Sequence, residues 1–371
     1  MAAPAGLVDW SLAERVGVRL AARHAPARRS ALDRLRHDLG ELTPLAERLV
    51  SEATNLHPPG AAVIEVVDRP AWVRANVAGM RALLEPVIAR WQRTGRSPNA
   101  LLGAVTGRIA AVEIGTLLGW MSGRVLGQYD LLVGRAATAT PDCGDRSTVY
   151  LVGPNLFALE RRHEFPRREF RLWVALHELT HRAQFEGVPW MRTHFFDLAE
   201  RALEVADPDP ARLVNVLRAA VSDRDEARRR IDEGGLPALL ATPEQRVALQ
   251  SIGGLMALLE GHGDVVMDRA GTGHVASAER FGKVLRARRA SGSPPVKLLR
   301  RLIGLEAKLA QYELGERFLA RIEAVAGPTA VDRCWERPEH LPTLDEIRDP
   351  DRWLARAGPL QPQGTVTERG Q

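Results

Sequence analysis

Val174-Ala175-Leu176-His177-Glu178-Leu179-Thr180-His181-Arg182-Ala183 is the stretch from which the rest of the chain can be read. It carries the pattern H-E-x-x-H. On a helix that turns about 100° per residue, His177 and His181 share a face one turn apart, close enough to hold one ion. Zinc takes neutral imidazole ligands and keeps a position open for water, and a carboxylate beside that water can take its proton. His177 and His181 are therefore the expected ligands of Zn2+, and Glu178 the expected catalytic base. The flanking residues are apolar (Leu172, Trp173, Val174, Ala175, Leu176), and Leu179 and Thr180 carry no charge. Such a helix is buried, and a polar trio in an apolar setting needs partners.

A third ligand is sought on a later helix. Thr242-Pro243-Glu244-Gln245 is a capping box with proline at the first helical position. The helix it opens carries Leu258-Leu259-Glu260-Gly261-His262-Gly263-Asp264-Val265-Val266-Met267-Asp268. Glu260 and Asp264 are four residues apart, hence on one face. In metallopeptidases whose third ligand is a glutamate from a later helix, an aspartate four residues on orients a ligating histidine. This makes Glu260 the expected third ligand and Asp264 its companion. The class with a third histidine is excluded, because Gln184 and Gly187 stand where its glycine and histidine would be. His262, His194 and Asp197 remain as alternatives to Glu260; His262 points about 200° away from Glu260 around the helix.

The 371 residues are 45% hydrophobic and 26% charged, a globular composition with a pI near 9.7. Only three of the 51 basic residues are lysines (Lys283, Lys297, Lys308), so the basicity reflects an arginine habit. A formal charge of +5 over this length is a weak attractor of nucleic acid. Two distant cysteines, Cys143 and Cys334, suit a reduced, cytoplasmic chain. No signal peptide is read at Met1 to Leu20, and the apolar segment Ile109 to Gly123, interrupted by Glu113, is too short for a membrane span.

Helices dominate the pattern. Ser11 with Glu14 predicts a capping box for a first helix, Ser30 to Thr54 a second, and Pro70 the start of a third. Ala61 to Val67 reads as a strand. The row Gly103, Gly107, Ala111, Gly115, Gly119, Gly123, Gly127 removes bulk every fourth residue and predicts close helix packing in a core. Gln128-Tyr129-Asp130 ends that segment, and a polar loop, 138–147, follows it. Thr148 to Val152, closed by Gly153-Pro154-Asn155, reads as a strand, a candidate edge for an extended peptide. Pro166 opens the motif helix, and Gly187 and Pro189 close it. Further helices are expected from Arg192 to Val205, from the Asp207-Pro208-Asp209-Pro210 turn to Gly234-Gly235, and from Leu305 to Ala326. The basic tract from Arg280 to Arg301, with leucines at amphipathic spacing, reads as a solvated helix hairpin and not a nucleic-acid arm.

Val125-Leu126-Gly127-Gln128-Tyr129-Asp130, Val152-Gly153-Pro154-Asn155, Phe170-Arg171-Leu172-Trp173 running into the H-E-L-T-H helix, Val188-Pro189-Trp190, Leu259-Glu260-Gly261-His262, Val266-Met267-Asp268 and Leu341-Pro342-Thr343 together resemble a zincin-like family found in actinobacteria. Its members are labelled zinc-dependent metallopeptidases or proteins associated with deazaflavin-coenzyme biosynthesis. The resemblance covers Gly115 to Trp353. It implies a zincin fold and carries over His177, Glu178, His181 and Glu260.

The fold expected is α+β and predominantly helical, with a small β-sheet beside the H-E-x-x-H helix. An N-terminal helical region (1–114) joins a catalytic region (115–355), and 356–371 form a disordered tail. The function expected is a zinc-dependent hydrolase of a peptide or protein substrate, with no specific nucleic acid and no membrane. Tyr129, Tyr150, Tyr312 and His262 are the candidate oxyanion or substrate contacts. The alternative is a non-catalytic zinc-binding partner protein.

Overall fold

The computed structural model describes residues 8–23, 26–93, 100–131, 148–203, 242–290 and 305–358, apart from the side chains at 90–93, 100–104, 289–290 and 305–313. The loop 138–147, Cys143, the helix expected to end at Gly234-Gly235, the 291–301 part of the basic tract, the tail from 359 and the side chain of Tyr312 lie outside the described residues. Two units divide the chain, one built from Met1–Gly187 with Val266–Arg288, the other from Val188–Val265 with Arg289–Gln371.

In the first unit, α1 (Trp10–Ala21) is capped by Asp9, whose carboxylate accepts the Leu12 amide at 2.9 Å. Ser11, the expected cap, instead donates its hydroxyl to the same carboxylate at 2.8 Å. An anionic acceptor at the positive end of the helix dipole outcompetes a hydroxyl two positions later. α2 (Arg29–Thr54), β1 (Val63–Val67), α3 (Arg69–Arg93) and α4 (Ala100–Met121) follow. On α4 the buried row Gly107, Ala111, Gly115, Gly119 meets α1, as the small-residue spacing predicts. A Cβ at Gly115 would stand 2.9 Å from the Val16 Cβ and closer still to the Ala13 carbonyl, so only glycine admits this crossing.

β2 (Gly127–Tyr129) and β3 (Thr148–Val152) complete a three-stranded sheet of order β1-β3-β2, with β3 parallel to β1 and antiparallel to β2. The strand expected at the edge is thus the central one. Four of its five residues are buried, the pattern of a strand covered on both faces. Gly127–Tyr129, read as the end of a helical segment, is an outer strand. Alternation puts Gly127, Tyr129, Val149 and Leu151 on one face and Gln128, Tyr150 and Val152 on the other. The second face packs on Trp72, Val73, Val77 and Leu118, and the amides of Gln128 and Asn76 exchange hydrogen bonds of 3.2 and 3.1 Å there.

α5 (Gly153–His163) begins where β3 stops, so Gly153-Pro154-Asn155 both closes the strand and opens a helix that the sequence reading missed. α6 (Arg167–Glu186) is the motif helix, with Pro166 and Gly187 at its caps as expected. It packs on the first face of the sheet and against α2. Two buried arginines fasten it. Arg171 reaches Asp38 and grips Glu160 with bonds of 2.7 and 3.0 Å. Arg182 donates to Glu47 at 2.7 Å and to the carbonyls of Pro59 and Gly60 at 2.7 and 2.9 Å, and forms an ion pair with Glu186 at 2.8 Å. Eleven residues make about three turns, so both arginines face the same way. Their α2 partners follow in the same order along the chain, and the two helices run parallel.

The second unit holds α7 (Met191–Leu203) and most of α8 (Pro243–Gly271). The expected capping box is reciprocal: the Thr242 amide donates to Gln245 Oε1 at 2.8 Å, and the Gln245 amide to Thr242 Oγ1 at 3.1 Å. α9 (Ala278–Ala290) belongs to the first unit, where Phe281 is fully buried against Phe165, Phe170 and Trp173. α10 (Leu305–Ala326) is the expected helix of the second unit and meets α8 where Gly315 touches Gly261. The chain then passes through α11 (Asp332–Glu336), a 3-10 turn at Pro338–His340, α12 (Leu344–Arg348) and α13 (Pro350–Ala357). Thr343 and Glu346 cap α12 reciprocally, and Arg356 grips Glu346 at 2.5 and 3.0 Å. Among the described residues, no helix is long and apolar enough to cross a membrane.

Candidate metal centre

The sides of α6 divide by function. Arg171, Arg182 and Glu186 face α2, while Glu178 and Phe185 lie roughly 40° further round, toward the sheet. His177, His181 and Gln184 occupy a third side, with Glu178 about 80° from the centre of the histidine pair.

The two imidazoles converge: Nε2 of His177 lies 3.2 Å from Nε2 of His181, with the rings at 83°. Two nitrogens bound to one tetrahedral zinc at about 2.0–2.1 Å are roughly 3.3 Å apart. The pair therefore fits a single ion. Gln184 Oε1 stands 2.9 Å from the other nitrogen of His181, Nδ1. With a carbonyl oxygen facing it, Nδ1 carries the proton and Nε2 keeps the lone pair, the tautomer a metal ligand needs. Gln184 is fully buried, which fixes this arrangement. The sequence reading used Gln184 only to exclude another motif. Its spacing three residues after His181 on a helix was the available signal.

Glu178 is buried, and the backbone of β2 closes over it. A Cβ at Gly127 would lie 2.6 Å from both Cγ and Oε1 of Glu178, so the absence of a side chain at 127 is what admits the carboxylate. No local pattern announces this contact, because it joins residues brought together by the sheet.

The two described tyrosine side chains make other contacts. Tyr129 stacks on Phe185 at 5.7 Å and donates its hydroxyl to Glu186 at 3.1 Å, about two turns along α6 from Glu178. Tyr150 lies on the opposite face of the sheet, where burial, then Asp130 and Glu65, push its phenol up to about 12. In the second unit, Glu260 and Asp264 are half-buried one turn apart on α8. His262, between them, is buried edge-on against Trp335, with ring centroids 5.0 Å apart. His194, in α7, packs on Trp190 just before that helix, and burial, with Arg201 nearby, lowers its pKa. Asp197 is exposed. Cys334 is a free, buried thiol whose pKa burial pushes up.

A family model described as zincin-like metallopeptidase matches residues 8–354. The fold is similar to a crystal structure from Chloroflexus aurantiacus, described as a "putative hydrolase with a novel fold", at a TM-score of 0.68 and 30% identity over 94% of this chain and 98% of that one. No match is found among curated proteins.

Proposed function

Because the chain belongs to the zincin-like metallopeptidase family, we propose that it is a zinc-dependent hydrolase of peptide bonds in which His177, His181 and Glu260 hold Zn2+ and Glu178 moves the proton. The observation that carries the reading is the 3.2 Å approach of the two Nε2 atoms, with Gln184 setting the proton on His181. Two imidazoles and a carboxylate form a donor set that zinc takes. Glu260, half-buried on α8, is the carboxylate assigned to complete that set. Asp264, one turn beyond Glu260, is assigned to orient a ligating histidine.

Zinc, when bound, supplies Lewis acidity to a water and to the scissile carbonyl. Glu178 takes a proton from that water on a carboxylate oxygen and delivers it to the leaving amine nitrogen. Gly127, having no side chain, leaves the carboxylate the room this transfer needs. An extended peptide would lie along the outer side of β2, which among the described residues pairs only with β3, and would gain main-chain hydrogen bonds as an added strand.

The test compares purified wild type with Glu178→Gln, by elemental analysis and by the peptides each releases from a proteome digest. Both proteins should carry zinc, and only the wild type should cleave. Identical peptide profiles would remove the peptidase reading and leave a zinc-holding partner protein. A wild type without zinc would remove both.

A further inference from the structure

The first unit contains a cavity of about 590 Å³ at the N-terminal ends of α2, α5 and α6. Six arginines line it: Arg28, Arg34, Arg69, Arg161, Arg167 and Arg171. The lining carboxylates are Asp38 and Glu160, and Arg171 engages both. Arg167 stands 4.0 Å from Glu160, a distant share of a carboxylate already gripped on both oxygens. Among the described residues, Arg28, Arg34 and Arg161 have no ion pair. Arg69 is held by one bond from Nε to Asn155 Oδ1 at 2.8 Å, which leaves its two Nη groups unengaged. Among the described residues, the cavity lining thus carries more arginines than carboxylates.

Two further features point the same way. α2, α5 and α6 all begin without a side-chain cap, at Arg28, Val152 and Pro166. Each contributes lining residues from its cap or first turn, so three positive helix ends add to the guanidinium charge. Burial lowers the pKa of Arg69, as expected of a guanidinium partly withdrawn from water. One wall is apolar: Pro154, Ala158 and the half-buried ring of Phe157.

We propose that this cavity is a binding site for a nucleoside phosphate, with the phosphates on Arg34, Arg69 and Arg161 and the base on Phe157. Its volume falls in the range of small-ligand sites, and guanidinium forks match phosphate oxygens in pairs. The aromatic ring and its apolar neighbours give a base a surface to stack on. The site is separate from the metal centre: on α6 it takes Arg167 and Arg171, before the turn that carries His177.

Isothermal titration of the full chain with ATP, adenosine, inorganic pyrophosphate and a short single-stranded oligonucleotide tests the site. ATP should bind more tightly than pyrophosphate, adenosine should bind weakly, and raised salt should weaken ATP binding. Arg34 and Arg161 are exposed, so Arg34→Gln with Arg161→Gln should fold normally by circular dichroism and lose affinity for ATP at least tenfold. His177→Ala should bind ATP as the wild type does. The proposal is overturned by a wild type that does not bind ATP, by undiminished binding in the double arginine variant, or by pyrophosphate binding as well as ATP. It is equally overturned if the oligonucleotide binds where ATP does not, or if His177→Ala abolishes binding, which would put the nucleotide on a bound metal.

Discussion

Gln184 and Gly127 carry the most specific expectations for single residues. Gln184→Ala removes the acceptor that keeps the His181 proton on Nδ1, so zinc affinity should fall roughly 10–100-fold. Gln184→Glu, which keeps an acceptor, should restore most of it; equal affinities in all three proteins, read by competition with a chromogenic chelator, would deny Gln184 this role. Gly127→Ala should leave zinc content intact and slow peptide hydrolysis by about 100-fold or more, because a base displaced by about 1 Å loses that much. Full activity in Gly127→Ala would show that Glu178 can shift at no cost. At this scale the sequence was legible where the chemistry is local. The approach of His177 to His181 follows from helical spacing alone, whereas the contact of Gly127 with Glu178 depends on β2 pairing with β3 and on α6 packing across that face. Tyr129 and Tyr150 are oxyanion candidates only through their hydroxyls. Only the alternation of the sheet shows that one serves Glu186 and the other faces away.

Elements are held by a few buried charges. Arg182→Ala would remove the cation that Glu47 and Glu186 share and should destabilise the fold by about 3–5 kcal/mol in urea denaturation, the usual result of breaking a buried ion pair from one side. An exposed pair such as Arg81 with Glu85 should give less than about 1 kcal/mol. Acid should act on α12 and α13. Burial by itself would raise the Glu346 carboxyl, but hydrogen bonds from Arg356 and Thr343 outweigh it and hold the carboxyl below its ordinary value. A carboxyl depressed in the folded state contributes stability that is complete above the ordinary glutamate pKa near 4.3 and is lost as pH falls through the lower, folded value. The gap in melting temperature between wild type and Glu346→Gln should therefore narrow as the solution is acidified below about pH 4.3; a constant gap in calorimetry would refute this coupling. Caps were legible where one residue had no rival, as at Thr242 and Pro166. At α1 two candidates stood side by side, and charge chose Asp9 over Ser11. The order of the strands was not legible, because a short apolar run reads the same at the centre of a sheet and at its edge.

For the whole molecule, helical periodicity gave the class correctly, while the division into Met1–Gly187 with Val266–Arg288 and the remainder has no compositional mark in the chain. A unit assembled from two separated segments cannot be cut out as one piece. A fragment ending at Gly187 should bind a hydrophobic dye and lack sharp near-ultraviolet dichroism; cooperative melting of that fragment would contradict the division. The reason is Phe281, buried among Phe165 and the α6 residues Phe170 and Trp173. On a ribosome adding about 5–20 residues per second, the roughly hundred residues that separate this cluster from its missing ring take on the order of 5–20 s to make. Throughout that interval the nascent chain displays an open aromatic socket next to two histidines.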